Sequence, residues 1–491
     1  MGYSRIGGAS RILWTVGKAL VSALVGALVV LIAVFVYHLQ SRPDLSVWHE
    51  AELDAEFSQY SAADTLEQYL DIELQVFAQL EERVYARIEP SERVAINRYH
   101  RGSPADPRRW ATNWNRSFEL PTEAVSAGVL LLHGMSDSPY SLRSLAAPLH
   151  ESGAWVLGLR MPGHGTAPSG LVGVTWQDMA AAVRLGVRHL RDKVGDRPLF
   201  IVGYSNGGAL AVEYAISSLE DAKLPWVEGL ILISPAIGVS GMARLALWQS
   251  RLGYVLGLDK LSWNSIMPEY DPFKYGSFAV NAGHQSYRLT REIRMRLDAL
   301  RESERFEQFP AVLAFQSIAD ATVSTGALIR GLFERLPSGP NELVLYDINR
   351  VSEIESLLYS DPRVRIDAML RHEAPSFSVR FYTNENDASA RLVLTRWQAE
   401  TAELTTTPID RVWPPGLYSL SHVALAFPVD DPLYGRDTDT RGEDHPVHLG
   451  TLALRGERNI LRIPASDMLR LRWNPFHEDL VRRLLEFTAP E

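Results

Sequence analysis

The chain has 491 residues, 46% of them hydrophobic and 22% charged, with a formal net charge of −10 and no cysteine. Such composition is ordinary for a globular enzyme, and the acidic balance argues against a polyanion-binding surface, which needs clustered Lys and Arg. The lack of cysteine excludes a cysteine nucleophile, thiolate metal sites and disulfides together.

From Ala19 to Tyr37 no residue is charged and nearly all are apolar, and residues 12–17 extend the run on its amino side, interrupted by Lys18 alone. About 20 apolar residues suffice to cross a bilayer core, and a lysine near one end can reach the headgroups. A cleaved signal peptide is the rival, but the run is followed by the bulky Tyr37-His38-Leu39-Gln40 rather than a small-x-small site. Arg5, Arg11 and Lys18 precede the run and only Arg42 follows closely. That asymmetry predicts a single-pass anchor with a cytoplasmic N-terminus and the remaining chain outside the cytoplasm, in the periplasm or its equivalent.

Residues 64–88 read as an amphipathic helix, with Leu66, Leu70, Phe77, Leu80 and Val84 on one face, Asp64 and Glu67 at its start and Pro90 beyond its end. It either packs on the main body or pairs with a second copy. From Gly128 onward short apolar runs recur: 128–132, 155–159, 199–202, 230–233, 312–315 and 343–346. Runs of this length suit strands buried on both faces. Helical stretches at 141–150, 176–192 and 209–219 separate the first four, which predicts a mostly parallel sheet covered by helices. Residues 235–310 contain no clear strand but include Trp248, Tyr254, Leu256, Leu258, Trp263 and Met267, and then a charged helical run over 290–309. An insertion there would cover the carboxyl ends of the strands, where open α/β sheets bind ligands. A second break over 351–407 holds one predicted strand, 377–382, and the polar turn Asn384-Glu385-Asn386-Asp387; its sequence suggests no function.

The chemistry centres on Gly203-Tyr204-Ser205-Asn206-Gly207. A Gly-x-Ser-x-Gly pentapeptide is weak alone, but here a predicted strand precedes it and a predicted helix follows. A serine on a tight strand-to-helix turn needs small neighbours and stands above the sheet edge, with the next N–H at a helix N-terminus aimed at an oxyanion. Ser205 is therefore the candidate nucleophile and Asn206 N–H a candidate oxyanion donor. A hydroxyl needs a base near neutral pH. Five histidines follow Asp320: His372, His422, His445, His448 and His477. His422 lies on a loop just beyond Pro414-Pro415-Gly416, where a base carried past the sheet would sit. Asp320, ending the 311–319 run, is the candidate acid that orients it; Asp347, at the end of the next strand, competes.

This set resembles the α/β-hydrolase superfamily and, within it, the monoacylglycerol lipase, carboxylesterase and serine aminopeptidase-like group. Leu130-Leu131-Leu132-His133-Gly134-Met135 is similar to the family's strand ending in His-Gly, which implies Met135 N–H as the second oxyanion donor. Pro162-Gly163-His164-Gly165 looks like the family's structural turn, Asp320 matches the acid of an Asp-x-x-Val pattern, and Ser421-His422-Val423 matches the histidine loop. The resemblance implies that His133 and His164 are structural. One departure stands out: 101 residues separate Asp320 from His422, against a few tens in the family.

The expected architecture is an α/β-hydrolase fold with a helical cap, preceded by a transmembrane helix. Its segments are a cytoplasmic tail (1–11), an anchor (12–37), a helical linker (38–95), the first part of the core (96–235), the cap insertion (236–309) and the second part of the core (310–491) with an insertion near 351–407. The expected reaction is hydrolysis of a lipid or small-molecule carboxylic ester by Ser205, Asp320 and His422, with no cofactor and no metal. No His-Glu-x-x-His appears, although the acidic loops at 430–431 and 437–444 leave a calcium site open. A peptidase or amidase with the same triad, and a non-catalytic tethered binding protein, are the alternatives. The oligomeric state is not legible.

Overall fold

The structure, a computed structural model, describes residues 6–238, 258–352, 358, 360–372, 375–399, 403–436, 447–450 and 470–489. Helix α1 (Ile6–Ser41) contains the apolar stretch, and an 18-residue apolar window within it, Trp14–Leu31, is wholly exposed. Length and composition are those of a membrane span, a character that a signal sequence near an N-terminus shares. Past its end, Arg42 donates to the carbonyls of Lys260 at 2.8 Å and Trp263 at 2.6 Å, and Lys260 Nζ pairs with Asp44. The linker is therefore sewn to the segment holding Lys260 and Trp263.

Helix α2 (Leu66–Arg83) is capped by Thr65 rather than Asp64, because the Thr65 side chain accepts from Gln68 N–H while the Gln68 side chain reaches back to the Thr65 and Asp64 N–H groups. It ends five residues before Ile88, in a short 3₁₀ turn over Tyr85–Arg87. Leu66, Phe77, Leu80 and Val84 are buried against the body. Glu73 on this helix bonds Ser117 and the guanidinium of Arg160, and Tyr69 Oη donates to Arg160 O. Arg160 is fully buried and also binds both carboxylate oxygens of Glu56 at 2.9 and 2.8 Å. Burial by itself would raise the Glu56 carboxyl, but the Arg160 charge outweighs it and holds the group below its ordinary value.

The sheet is built from β1 (Phe118–Leu120), β2 (Ala127–Leu132), β3 (Ala154–Leu159), β4 (Leu199–Tyr204), β5 (Gly229–Ile233), β8 (Ala311–Ser317), β9 (Glu342–Tyr346), β10 (Ser378–Asn386), β11 (Ser389–Trp397) and β12 (Leu404–Val412). A separate small pair, β6 (Trp263–Ser265) with β7 (Phe278–Ala279), lies in the segment where the sequence shows no clear strand. Strands that short carry too few residues for a period to register. The main order is β1-β3-β2-β4-β5-β8-β9-β10-β11-β12, with β3 through β10 parallel and the outer strands antiparallel. Every residue of β2, β4, β5 and β9 is buried, as expected of strands covered on both faces. Helices α3 (Arg143–Glu151), α4 (Trp176–Val194) and α5 (Asn206–Glu220) provide that cover.

Helix α6 (Val280–Leu300) begins ten residues before the expected charged run and ends nine before its close. Leu289, Ile293 and Leu297, four apart, are buried against the core, so burial rather than charge sets its limits. Trp263 is also buried, edge-on to His49 at 4.8 Å, and belongs to the packing beneath the linker. Trp248, Tyr254 and Leu256 lie outside the described residues. The 351–407 break becomes helix α7 (Pro362–His372) followed by β10, β11 and β12, which widen the sheet. Helix α8 (His477–Thr488) closes the fold.

Four buried histidines are held neutral. Met161 N–H donates to His133 Nε2 at 2.9 Å, while His133 Nδ1 contacts Gly134 O at 2.9 Å, so the ring carries its one proton on Nδ1. His164 Nδ1 likewise contacts Pro162 O, at 2.9 Å. Burial lowers His49, His164 and His477 to about 4 and His133 further.

Two outcomes follow. Arg160→Met strands Glu56 and Glu73 and is expected to cost about 3–5 kcal/mol in denaturant unfolding of the full chain in detergent. Because the four histidines titrate lower in the folded than in the unfolded chain, where they sit near 6.5, the folded state binds fewer protons. Stability is complete above about pH 6.5 and falls as pH drops toward about 4; thermal unfolding against pH shows this, and His477→Gln reduces the loss.

Candidate active site

Strand β4 ends at Tyr204 and α5 begins at Asn206, leaving Ser205 as the single residue of the turn. Its φ is 52° with ψ of −114°, a region that a residue with a Cβ rarely occupies, at a cost of about 1–3 kcal/mol. Its neighbours leave the chain no alternative. A Cβ on Gly207 would stand 2.0 Å from Leu132 O, and one on Gly203 2.5 Å from Gly207 O and from Gly208 N. Ser205 N–H donates to Ile233 O at 2.9 Å, and Ser205 O accepts from Ala236 N–H at 2.8 Å. The side chain is thereby lifted above the carboxyl edge of the sheet, partly exposed.

His422 Nε2 lies 3.0 Å from Ser205 Oγ, and His422 Nδ1 lies 2.7 Å from Asp320 Oδ2. Asp320 follows β8 and is filled on its other oxygen by the N–H groups of Thr322 at 2.7 Å and Val323 at 3.0 Å. Burial alone would raise this carboxyl; the His422 bond and charge, with the two N–H groups, hold it below its ordinary value. It is therefore ionised near neutral pH and fixes a proton on His422 Nδ1, leaving Nε2 as the acceptor facing Ser205. The histidine loop is anchored to the sheet: Ser317 Oγ donates to Leu420 O at 2.8 Å and Asn349 N–H to Tyr418 O at 2.7 Å.

The competing residues lie elsewhere. Asp347 binds Arg350 at 2.8 Å and Thr383 at 2.7 Å, a buried cluster behind β10. His477 Nε2 faces Ser144 Oγ at 3.4 Å. His372 ends α7, and His445 lies outside the described residues. His133 and His164 take up the backbone contacts given above and bond neither Asp320 nor Ser205.

Asn206 is the first residue of α5, where N–H groups have no acceptor within the helix. The His133-Gly134-Met135 turn packs against the same spot, since a Cβ on Gly134 would sit 3.2 Å from Ser205 Cβ. Met135 is partly exposed there. No cluster of three or more metal-ligand side chains occurs among the described residues. A cleft of about 690 Å³ between the linker, residues 166–178 and Trp263 does not include Ser205 in its lining.

Three supporting residues were not singled out from the sequence. Tyr204 lays its ring 5.5 Å from the His422 ring. Gln316 Nε2 donates to Asp320 Oδ2 at 3.0 Å, and Ser317 holds the histidine loop. The signal was present, since Gln316 and Ser317 are the polar residues of an otherwise apolar strand. A buried polar side chain needs a partner.

The family model described as serine aminopeptidase, S33, matches residues 123–349. A thermostable monoacylglycerol lipase from Bacillus sp. (strain H-257) is 31% identical over 116 residues, which are 24% of this chain and 43% of that protein. The chain thus spans less than half the length of this curated relative. Among solved structures, the metagenome-derived lipolytic enzymes LipS and LipT are represented by a chain 20% identical, with 53% of this chain and 98% of that one covered at a TM-score of 0.37. The monoacylglycerol lipase of Paleococcus ferrophilus is 20% identical, with 47% and 88% covered at a TM-score of 0.36. The parallel sheet and the elbow between β4 and α5 are those of an α/β-hydrolase fold, and residues 123–349 of that fold are the ones similar to the serine aminopeptidase family model.

Proposed function

We propose that the chain is a membrane-anchored serine hydrolase that cleaves carboxylic esters through an acyl-enzyme on Ser205. The observation that carries this reading is the line Asp320 Oδ2–His422 Nδ1–His422 Nε2–Ser205 Oγ, with links of 2.7 and 3.0 Å, ending on a strained elbow. His422 Nε2 takes the Ser205 proton as Oγ attacks the ester carbonyl, and the Asp320 carboxylate stabilises the imidazolium that forms. The N–H groups of Met135 and Asn206 receive the oxyanion. Collapse of the tetrahedral adduct expels the alcohol, which leaves with the proton from His422. Water, deprotonated by the same nitrogen, then attacks the acyl-enzyme and releases the acid.

The apolar helix α1 and the similarity to a monoacylglycerol lipase over 116 residues favour esters of acyl chains: acylglycerols, lysophospholipids or short to medium acyl esters. A serine peptidase would use the same triad, and the family description includes aminopeptidases. An aminopeptidase site needs a charged anchor for the peptide terminus, which an ester site does not, and the apolar helix and the lipase similarity favour the ester. In this reading α1 is an uncleaved anchor, with residues 1–11 in the cytoplasm and the catalytic body outside it.

Nitrophenyl esters of graded chain length are expected to turn over. Ser205→Ala and His422→Ala each lower kcat by about 10⁵–10⁶-fold and Asp320→Asn by about 10⁴-fold; a folded chain that cleaves no ester, or cleaves aminoacyl-naphthylamides faster, contradicts the reading. A reporter active only in the cytoplasm, fused to the C-terminus, stays silent; activity there reverses the orientation.

A further inference from the structure

Residues 268–277, between β6 and β7, form a strap that grips the turn carrying Met135. Tyr275 N–H donates to Ser136 O at 2.8 Å, and Lys274 Nζ lies 3.0 Å from Asp137 Oδ2. The gripped turn is strained: Ser136 has a φ of 64°, and Asp137 N–H folds back onto Gly134 O at 3.2 Å. It also abuts the candidate nucleophile. The point where a Gly134 Cβ would stand is 3.0 Å from Asp137 Oδ2 and 3.2 Å from Ser205 Cβ.

The strap is itself fixed to the body. Asp271 accepts from Phe273 N–H at 2.9 Å and Lys274 N–H at 3.1 Å, and its second oxygen accepts from Tyr434 Oη at 2.5 Å. Phe273 stacks on Tyr140 at 4.3 Å. Arg98 N–H donates to Glu269 O at 2.8 Å. Lys274 is thus delivered by a braced element to a buried carboxylate, 6% exposed, that the proposed reaction does not use. A turn held at positive φ persists only when its surroundings over-determine it, and misplacing a catalytic group by about 1 Å can cost about 100-fold in rate.

We propose that Lys274 is a positioning residue for the oxyanion hole: through its pair with Asp137 it holds the 134–137 turn so that Met135 N–H faces the carbonyl attacked by Ser205. The proposal rests on the serine-hydrolase reading. It makes the hole a joint product of the core strand β2 and the strap rather than of the core alone, so any displacement of the strap slackens it.

The test uses the full chain in detergent micelles, with ester kcat and KM, the rate of labelling by a fluorophosphonate, and the thermal midpoint. Lys274→Met is expected to lower kcat and the labelling rate together by about 10- to 100-fold, with KM within about twofold. Lys274→Arg keeps the charge and recovers most of the rate. Asp137→Asn with Lys274→Met is no slower than Lys274→Met alone, because both changes remove one interaction; it also leaves no unpaired buried carboxylate, so it carries the comparison should the single variant fail to fold. Wild-type rates in Lys274→Met or in the double variant overturn the proposal, as does a rate loss that Lys274→Arg does not relieve and that follows the thermal midpoint. A wild type that neither labels nor turns over overturns the hydrolase reading as well, which separates the two failures.

Discussion

A residue with a side chain is held at a φ of 52° only where every relaxed alternative is closed. At Ser205 that closure is steric. Gly203, Gly207 and Gly208 bring the end of β4, the first turn of α5 and the tip of β2 within contact of one another, and no Cβ fits at Gly203 or Gly207. The rest of the molecule depends on this knot. It requires β2, β4 and β5 side by side, because Leu132 O crowds one glycine and Ile233 O receives the serine N–H. It also aims the N-terminus of α5 at the point where the hydroxyl stands.

The histidine reaches that point by a long route that topology makes harmless. β10 runs parallel to β9, β11 returns antiparallel, and β12 returns again. Two reversals cancel, so the chain leaves β12 at the carboxyl edge of the sheet, ten residues short of His422. An insertion ending in an odd number of reversals would have delivered the loop to the opposite edge. Ser317 and Asn349, at the ends of β8 and β9, then fasten the loop where Asp320 can meet it. The 101 residues between acid and histidine therefore change the width of the sheet and leave the site geometry intact.

Much of this was legible in the sequence. The six apolar runs mark the central strands to within two residues at either end, because a strand buried on both faces has to be apolar throughout and glycine or a polar turn has to end it. The elbow was legible for the same reason, since its glycines are a steric necessity. His422 emerged from chain order and its place on a loop, and the structure sets it between Ser205 and Asp320. What escaped depends on pairing across distance. Thr65 rather than Asp64 caps α2 because Gln68 answers it. The outer strands β11 and β12 mix polar and apolar residues at an edge, where burial imposes no pattern. Lys274 looks like an ordinary charged residue until Asp137, 137 positions earlier, is seen beside it.

The linker ties the apolar helix α1 to the body. Arg42 binds the segment containing Trp263 while Glu56 and Glu73 converge on the buried Arg160, so the chain after α1 is fastened to the body by charged side chains at both ends of the linker. The proposed chemistry is decided at Ser205 Oγ, and the most direct measurement is a crystal structure of the chain after reaction with an alkyl phosphonate. The expected result is one phosphonate covalently on Ser205 Oγ, its phosphoryl oxygen within hydrogen-bonding distance of the N–H groups of Met135 and Asn206, and His422 beside the ester oxygen. A phosphonate on another residue, or one on Ser205 whose phosphoryl oxygen points away from both N–H groups, would contradict it.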